Sequence, residues 1–188
     1  MIVTIHQPNF MPWYPFFQKI EQADIFVLLS HCQFEKNGYQ NRFQLNNRWN
    51  TMSVKNKLEY INEKHYIDPK KDWERIKNSL PQYKNILTEI DPIISANLYQ
   101  TNSSIIRYLI KKLNINTLVV EDYQTNLTST ARLVDICKRY DATTYLAGQG
   151  GKDYLNEELF NIENIRVIYQ ENINKIHTLD YLNEVIRI

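Results

Sequence analysis

The sequence predicts an α/β fold of three layers, with a mostly parallel sheet built from two βαβ units and a helical insertion. A continuous apolar run at residues 25–29 matches a strand covered on both faces, and residues 2–5 and 143–147 read as further strands. Segments with apolar residues three and four apart alternate with these strands, which is the period of a helix face packed on a sheet. Strands alternating with helices imply parallel pairing through right-handed crossovers. At 188 residues the chain is expected to be a single domain over 1–188, with the helical insertion at about 72–114.

Residues 2–5 read as the first strand, and 13–22 as a helix whose stripe is Trp13, Phe16, Phe17 and Ile20. A strand at 25–29 completes the first unit. Shorter strands at 39–45 and 49–54 flank Asn46-Asn47 and suggest a hairpin or an edge addition, since asparagine tolerates turn conformations. Residues 72–113 carry helical spacing, with Pro81 and Pro92 as boundaries and Asn102-Ser103 as an N-cap before Ile105, Ile106, Leu109 and Ile110. The second unit is a strand at 117–120, a helix capped by Thr128 or Ser129 that runs to about Tyr140, and a strand at 143–147. Gly148-Gln149-Gly150-Gly151 holds three of the four glycines, and a strand at 166–169 precedes a last helix containing Leu179, Leu182, Val185 and Ile186.

Composition narrows the function classes. Lysine and arginine total 22 against 21 acids, a net charge of +1, so no global field draws in nucleic acid. The basic residues between Lys55 and Lys71 are diluted by Glu59, Glu63 and Asp68, which reads as a solvated face. No apolar run approaches a membrane span, and no basic segment precedes the first strand as in a signal peptide. The two cysteines, Cys32 and Cys137, form neither a disulfide framework nor a zinc spacing, so no metal is expected and the cytoplasm is the expected compartment.

The chemistry concentrates where strands end. His6 closes the first strand, and Gln7, Asn9 and Trp13 follow it in a loop whose φ angles are fixed twice, by Pro8 and Pro12. In open α/β sheets ligands bind beyond the carboxyl ends of the strands, so this loop is a candidate contact. His6 can act as acid or base, or stand as a strand-end histidine bonded to backbone. Gln33, Glu35 and Lys36 form a second cluster, in which strand alternation turns Gln33 and Glu35 to one face and makes Glu35 the candidate general base. Its plain alternative is a solvated strand end. Gln40 and Asn41 offer donors for sugar hydroxyls, and Arg42 offers a bidentate fork for phosphate. The glycine loop can present backbone N–H groups to an anion near Tyr154, or be a tight turn, and it has no Walker or dinucleotide spacing. Cys32 lies next to His31, but neighbours on a strand face opposite ways, which argues against a Cys/His pair.

Ile5-His6-Gln7-Pro8-Asn9-Phe10-Met11-Pro12-Trp13, Phe17-Gln18-Lys19-Ile20, Ala23-Asp24, Gln33-Phe34-Glu35-Lys36 and Gln40-Asn41-Arg42 together resemble the WbqC-like proteins of bacterial surface-polysaccharide gene clusters. Tyr145-Leu146-Ala147-Gly148-Gln149-Gly150-Gly151 with Tyr154-Leu155, and the stretch ending at Asp180, resemble that family's later blocks. Cys32 and His177 depart from it, standing where an aliphatic residue and a serine are expected. The resemblance implies a role in O-antigen or related glycan biosynthesis and a nucleotide-linked sugar as small-molecule substrate. The leading expectation is a transferase that moves an acyl or aminoacyl group onto a sugar amine, with an acyl or aminoacyl donor as co-substrate. Glu35 or His6 would take the proton, and Gln7, Gln33, Gln40 and Asn41 would hold sugar hydroxyls. Arg42 and the glycine loop would hold phosphates, and Trp13 would stack. Asn9, Lys36, Tyr145, Gly148, Gly150, Gly151, Tyr154 and Asp180 complete the expected binding set. The alternatives are an ATP-using nucleotidyl or activation enzyme and a non-catalytic sugar-nucleotide-binding subunit. The sequence carries no signature of the particular sugar, the donor or the oligomeric state.

Overall fold

A computed structural model describes residues 1–186 of the chain. In chain order the elements are β1 (Ile2–His6), α1 (Tyr14–Glu21), β2 (Ile25–Leu28), β3 (Arg42–Leu45), β4 (Arg48–Thr51), α2 (Pro69–Ser79), α3 (Lys84–Ile90), α4 (Leu98–Lys112), β5 (Leu118–Glu121), α5 (Ser129–Arg139), β6 (Thr144–Ala147), α6 (Glu157–Ile162), β7 (Arg166–Tyr169) and α7 (Thr178–Ile186). The five strands β5-β2-β1-β6-β7 lie in that spatial order and pair in parallel throughout. From β1 the chain builds outward through β2 to β5, then returns to lay β6 on the other side of β1. The strand order therefore reverses between β1 and β6, where α/β sheets open a crevice at their carboxyl edge.

Two apolar cores cover the two faces, which makes three layers. Side-chain alternation sends Phe26 and Leu28 toward Phe16, Phe17 and Ile20 of α1 and Ile105, Ile106 and Leu109 of α4. Val3, Ile5, Ile25 and Val27 turn the other way, to Val134 and Cys137 of α5 and Phe160 of α6. Thr4 is the polar exception inside β1, and its hydroxyl donates to Leu146 O at 2.8 Å across the reversal. β5 and β6, expected as neighbours in one βαβ unit, stand on opposite sides of the β2-β1 pair. The adjacent unit is β6-α6-β7, and its short helix gave too few turns for a periodic signal.

The segment between β2 and β5 builds against the first face. Asn46 and Asn47 both take left-handed φ angles of 51° and 59°, the two-residue turn whose twist suits a hairpin, and β3 and β4 pair antiparallel as a separate two-stranded sheet. Helices begin at Pro69, slightly before the expected insertion, and Trp73, Ile76, Leu87 and Leu98 join the core below α1. Asn102-Ser103 is not an N-cap: α4 starts at Leu98, and Asn97 caps it by accepting from the Gln100 N–H at 2.9 Å.

Asn102 has a different task. It is fully buried inside α4, and its amide donates to Pro8 O at 2.7 Å and Gln40 O at 2.6 Å while its oxygen accepts from the Tyr66 hydroxyl at 2.9 Å. It thus ties the loop after β1 to the segment leading into the hairpin. Phe10 N–H reinforces the tie by donating to Tyr39 O at 2.8 Å. Phe10 and Met11 are each 1 % exposed, and Met11 is held at a left-handed φ of 46°, so the prolines are only part of what stiffens this loop. Asn102→Leu would leave two carbonyls and a hydroxyl buried without partners, each costing about 1–3 kcal/mol. Urea unfolding should show a loss of roughly 3 kcal/mol or more, and a loss below about 1 kcal/mol would contradict this reading.

Candidate functional site

Three cavities converge on His6 at the carboxyl edge of the sheet. The first, about 420 Å³, runs under the β1 loop and the hairpin, past Gln7, Asn9, Trp13, Glu35, Gln40 and His177. A second, about 770 Å³, lies at the strand reversal against α1 and the glycine loop, and includes Trp13, Lys19, Gly148, Gly150 and Lys175. The third, about 630 Å³, opens on the α5 side, past Gln7, His31, Gln33, Glu35, Arg132, Tyr145 and Tyr154. Most of the expected residues thus meet at one edge, from segments far apart in sequence.

His6 points to the α1 face by alternation from Thr4, edge-on to Phe16 with ring centres 4.9 Å apart. Its Nδ1 donates to Gln7 O at 2.8 Å, which leaves Nε2 with the lone pair. Burial, aided by the nearby Lys19 ammonium, lowers its pKa to about 3, so His6 is neutral across physiological pH. It is a hydrogen-bonding wall and a weak base. The Gln40 amide donates to Gln7 Oε1, fixing the Gln7 side chain. A Cβ on Gly38 would fall 2.5 Å from Gln40 Oε1, so glycine there lets the Gln40 amide lie against the backbone.

Glu35 is exposed and belongs to two of the three cavities, next to Gln7. Other expected residues sit elsewhere. Arg42 donates to Gly38 O at 3.3 Å and to Asn37 O, and stacks 4.1 Å above the Trp49 ring, lining none of the three cavities. Asn41 is buried and donates to Met52 O at 2.8 Å, inside the hairpin support. Tyr145 edges the third cavity but is a core side chain, 3 % exposed and stacked on Phe160. Gly151 is packed, since a Cβ there would meet Leu155 at 3.0 Å and Ala147 at 3.2 Å. Asp180 accepts from the Tyr83 hydroxyl and borders a shallow hollow beside Trp13. Lys36 is exposed outside the cavities.

Sequence reasoning missed two groups. The carboxyl ends of β2 and β5 are neighbours, with Leu28 opposite Glu121, and this brings Ser30 and His31 against Asp122. The fully buried Asp122 carboxylate accepts from Ser30 N–H and Ser30 hydroxyl at 2.7 Å each, from Arg132, and from His31 Nδ1 at 3.2 Å. Arg132 also donates to His31 O at 2.6 Å. No local spacing announces a cluster whose members lie about ninety residues apart. Beside it, burial pushes the Cys32 thiol up to about 11, which keeps it protonated and poorly nucleophilic. His177 was read only as a departure from the family; it is buried, its Nδ1 accepts from Leu179 N–H at 3.2 Å, and burial lowers it to about 4.

The second group is Lys19. It is 3 % exposed, and its ammonium donates to Ile5 O at 3.2 Å with no carboxylate paired to it among the described residues. Burial lowers its pKa to about 7, against roughly 10.4 in an unfolded chain. Between those values the unfolded state binds more protons, so stability rises as pH rises from 7 toward 10, and the buried charge is a cost below that window. Lys19→Met should be more stable than the parent at pH 7 by on the order of a few kcal/mol, with the gap closing toward pH 10. Urea unfolding across that range measures it, and a variant no more stable at pH 7 would contradict the buried charge.

No helix among the described residues is long and apolar enough to cross a membrane. The chain is 25 % identical over 186 residues to the uncharacterized protein Rv1507c of Mycobacterium tuberculosis, an alignment covering 89 % of this chain and 80 % of that one. Among solved structures, a zinc-bound AdcAII variant of Streptococcus pneumoniae aligns over 99 % of this chain and 96 % of its own, at 13 % identity and a TM-score of 0.23, too low to indicate a shared fold. The model of the WbqC-like protein family matches residues 7–180, from the loop after β1 to Asp180, and the chain belongs to that family.

Proposed function

We propose that this protein is an enzyme of bacterial surface-polysaccharide biosynthesis that transfers an acyl or aminoacyl group to the amine of a nucleotide-linked amino sugar. The observation that carries the reading is the convergence of three cavities on His6 at the strand reversal, with Glu35 shared between two of them. A group-transfer enzyme must hold two substrates with their reacting atoms in contact, and neighbouring cavities that share His6, Gln7 and Glu35 suit that arrangement. Membership of the WbqC-like family supports the pathway.

In this reading the sugar lies in the cavity under the β1 loop, where Gln7, Asn9 and Gln40 offer amides and Trp13, 46 % exposed, offers a ring face. The acyl or aminoacyl donor enters from the α5 side. The amine nitrogen attacks the donor's carbonyl carbon, forming the N–C bond, and the bond from that carbon to the leaving group breaks. Glu35 accepts the proton lost by the amine and returns it to the leaving group. Neutral His6 is too weak a base for this step and instead holds the substrate by hydrogen bonding.

Glu35→Gln keeps the shape and removes the base, so turnover should fall by about a hundredfold or more with little change in KM. His6→Ala should raise KM more than it lowers kcat. The assay is mass spectrometry of nucleotide amino sugars incubated with acyl and aminoacyl donors. Wild-type turnover by folded Glu35→Gln would remove Glu35 as the base, and sugar-nucleotide binding with no turnover on any donor would favour a non-catalytic subunit.

A further inference from the structure

The cavity at the strand reversal is lined by two lysines that no acidic side chain among the described residues pairs with. Lys19 forms its floor and Lys175 its rim, and no carboxylate lines it. The contrast with Lys64 is informative. Lys64 is equally buried, but its ammonium donates to Lys55 O and Lys57 O at 2.6 Å each and lies 3.4 Å from Glu59, so the fold accounts for it. Lys19 has one carbonyl, at 3.2 Å, and faces the cavity. Burial without a counter-charge disfavours the ammonium form of Lys19, and an anionic ligand would supply the missing partner and restore the charge.

The glycine loop adds an independent observation. None of the chain's glycines has a positive φ, and a Cβ built on Gly148 or Gly150 meets nothing within 4 Å. Neither backbone conformation nor packing calls for glycine at these two positions. Both line the same cavity as Lys19, so the missing side chains keep its mouth open and leave the backbone bare to whatever enters. Gly151 differs, being packed against Leu155 and Ala147.

We propose that this cavity binds a diphosphate group, with Lys19 and Lys175 as its cations and the Gly148-to-Gly150 backbone as its open wall. A diphosphate suits it because two lysines at floor and rim can each meet one phosphoryl group, and lysine serves phosphate as a point charge. The site takes over the task the sequence assigned to Arg42, whose guanidinium is engaged on Trp49. The inference rests on reading the crevice as the ligand site of the proposed function, and it holds for any chemistry performed there.

Isothermal titration of the full chain with inorganic pyrophosphate at neutral pH tests it, with uridine diphosphate as a second arm. The parent should bind both. Tighter binding of the nucleotide would identify a nucleotide as the natural source, and equal binding would identify the diphosphate alone. Lys19→Met and Gly150→Leu should each weaken binding at least tenfold while remaining folded, Lys175→Met should weaken it less, and Arg42→Met should leave it unchanged. A parent that binds neither probe at millimolar concentration, or a Lys19→Met variant that binds like the parent, overturns the proposal. No acyl donor is present in the titration, so failure of the transfer reading leaves a positive result standing, and a silent titration leaves the role of Glu35 untouched.

Discussion

The buried amide of Asn102 is the constraint on which the crevice depends. Three segments that share no secondary structure, the loop after β1, the bend before the hairpin and the chain near Tyr66, each direct one polar group at it. In a low-dielectric interior such groups must be paired, and a single side-chain amide satisfies all three with its two donors and one acceptor. Because the amide sits on α4, which packs on the sheet, the loops inherit the rigidity of the sheet core. Gln7 and Gln40 meet because of it, and the cavity under the β1 loop takes its shape from that meeting.

Electrostatics then divide the carboxyl edge into distinct environments. On the α5 side the Asp122 charge is neutralised by Arg132 and saturated by hydrogen bonds, a network that holds Ser30 and His31 in place. On the α1 side Lys19 has no such partner, and burial, aided by the field of Lys19, keeps His6 neutral. The cavities on the two sides share His6 as a lining residue.

The local elements were largely legible in the sequence, for reasons that are themselves local. Apolar runs marked the buried parallel strands, and Asn46-Asn47 marked the hairpin because two adjacent left-handed residues are costly for most side chains. The cap of α4 was misjudged because Asn97 and Asn102 have the same cap propensity, and only the packed core shows that one ends the helix while the other is sealed inside it. Arg42 carried the right chemistry for phosphate, but the neighbouring Trp49 ring and two carbonyls hold it on the hairpin. Lys19 went unremarked as a site residue because a lysine on an amphipathic helix reads as a solvated position.

By itself the sequence determined the α/β class, the approximate strand and hairpin positions and the placement of His6, Gln7 and the glycine loop at strand ends, since these follow from side-chain periodicity and turn chemistry within short windows. The tertiary structure alone decided the strand order that reverses between β1 and β6, the pairing of Ser30 and His31 with Asp122, and the isolation of Lys19 beneath the glycine loop. Those features depend on which distant segments become neighbours and how completely water leaves them. Burial and long-range proximity set the charge state of a group, and neither is encoded in the spacing of residues along the chain.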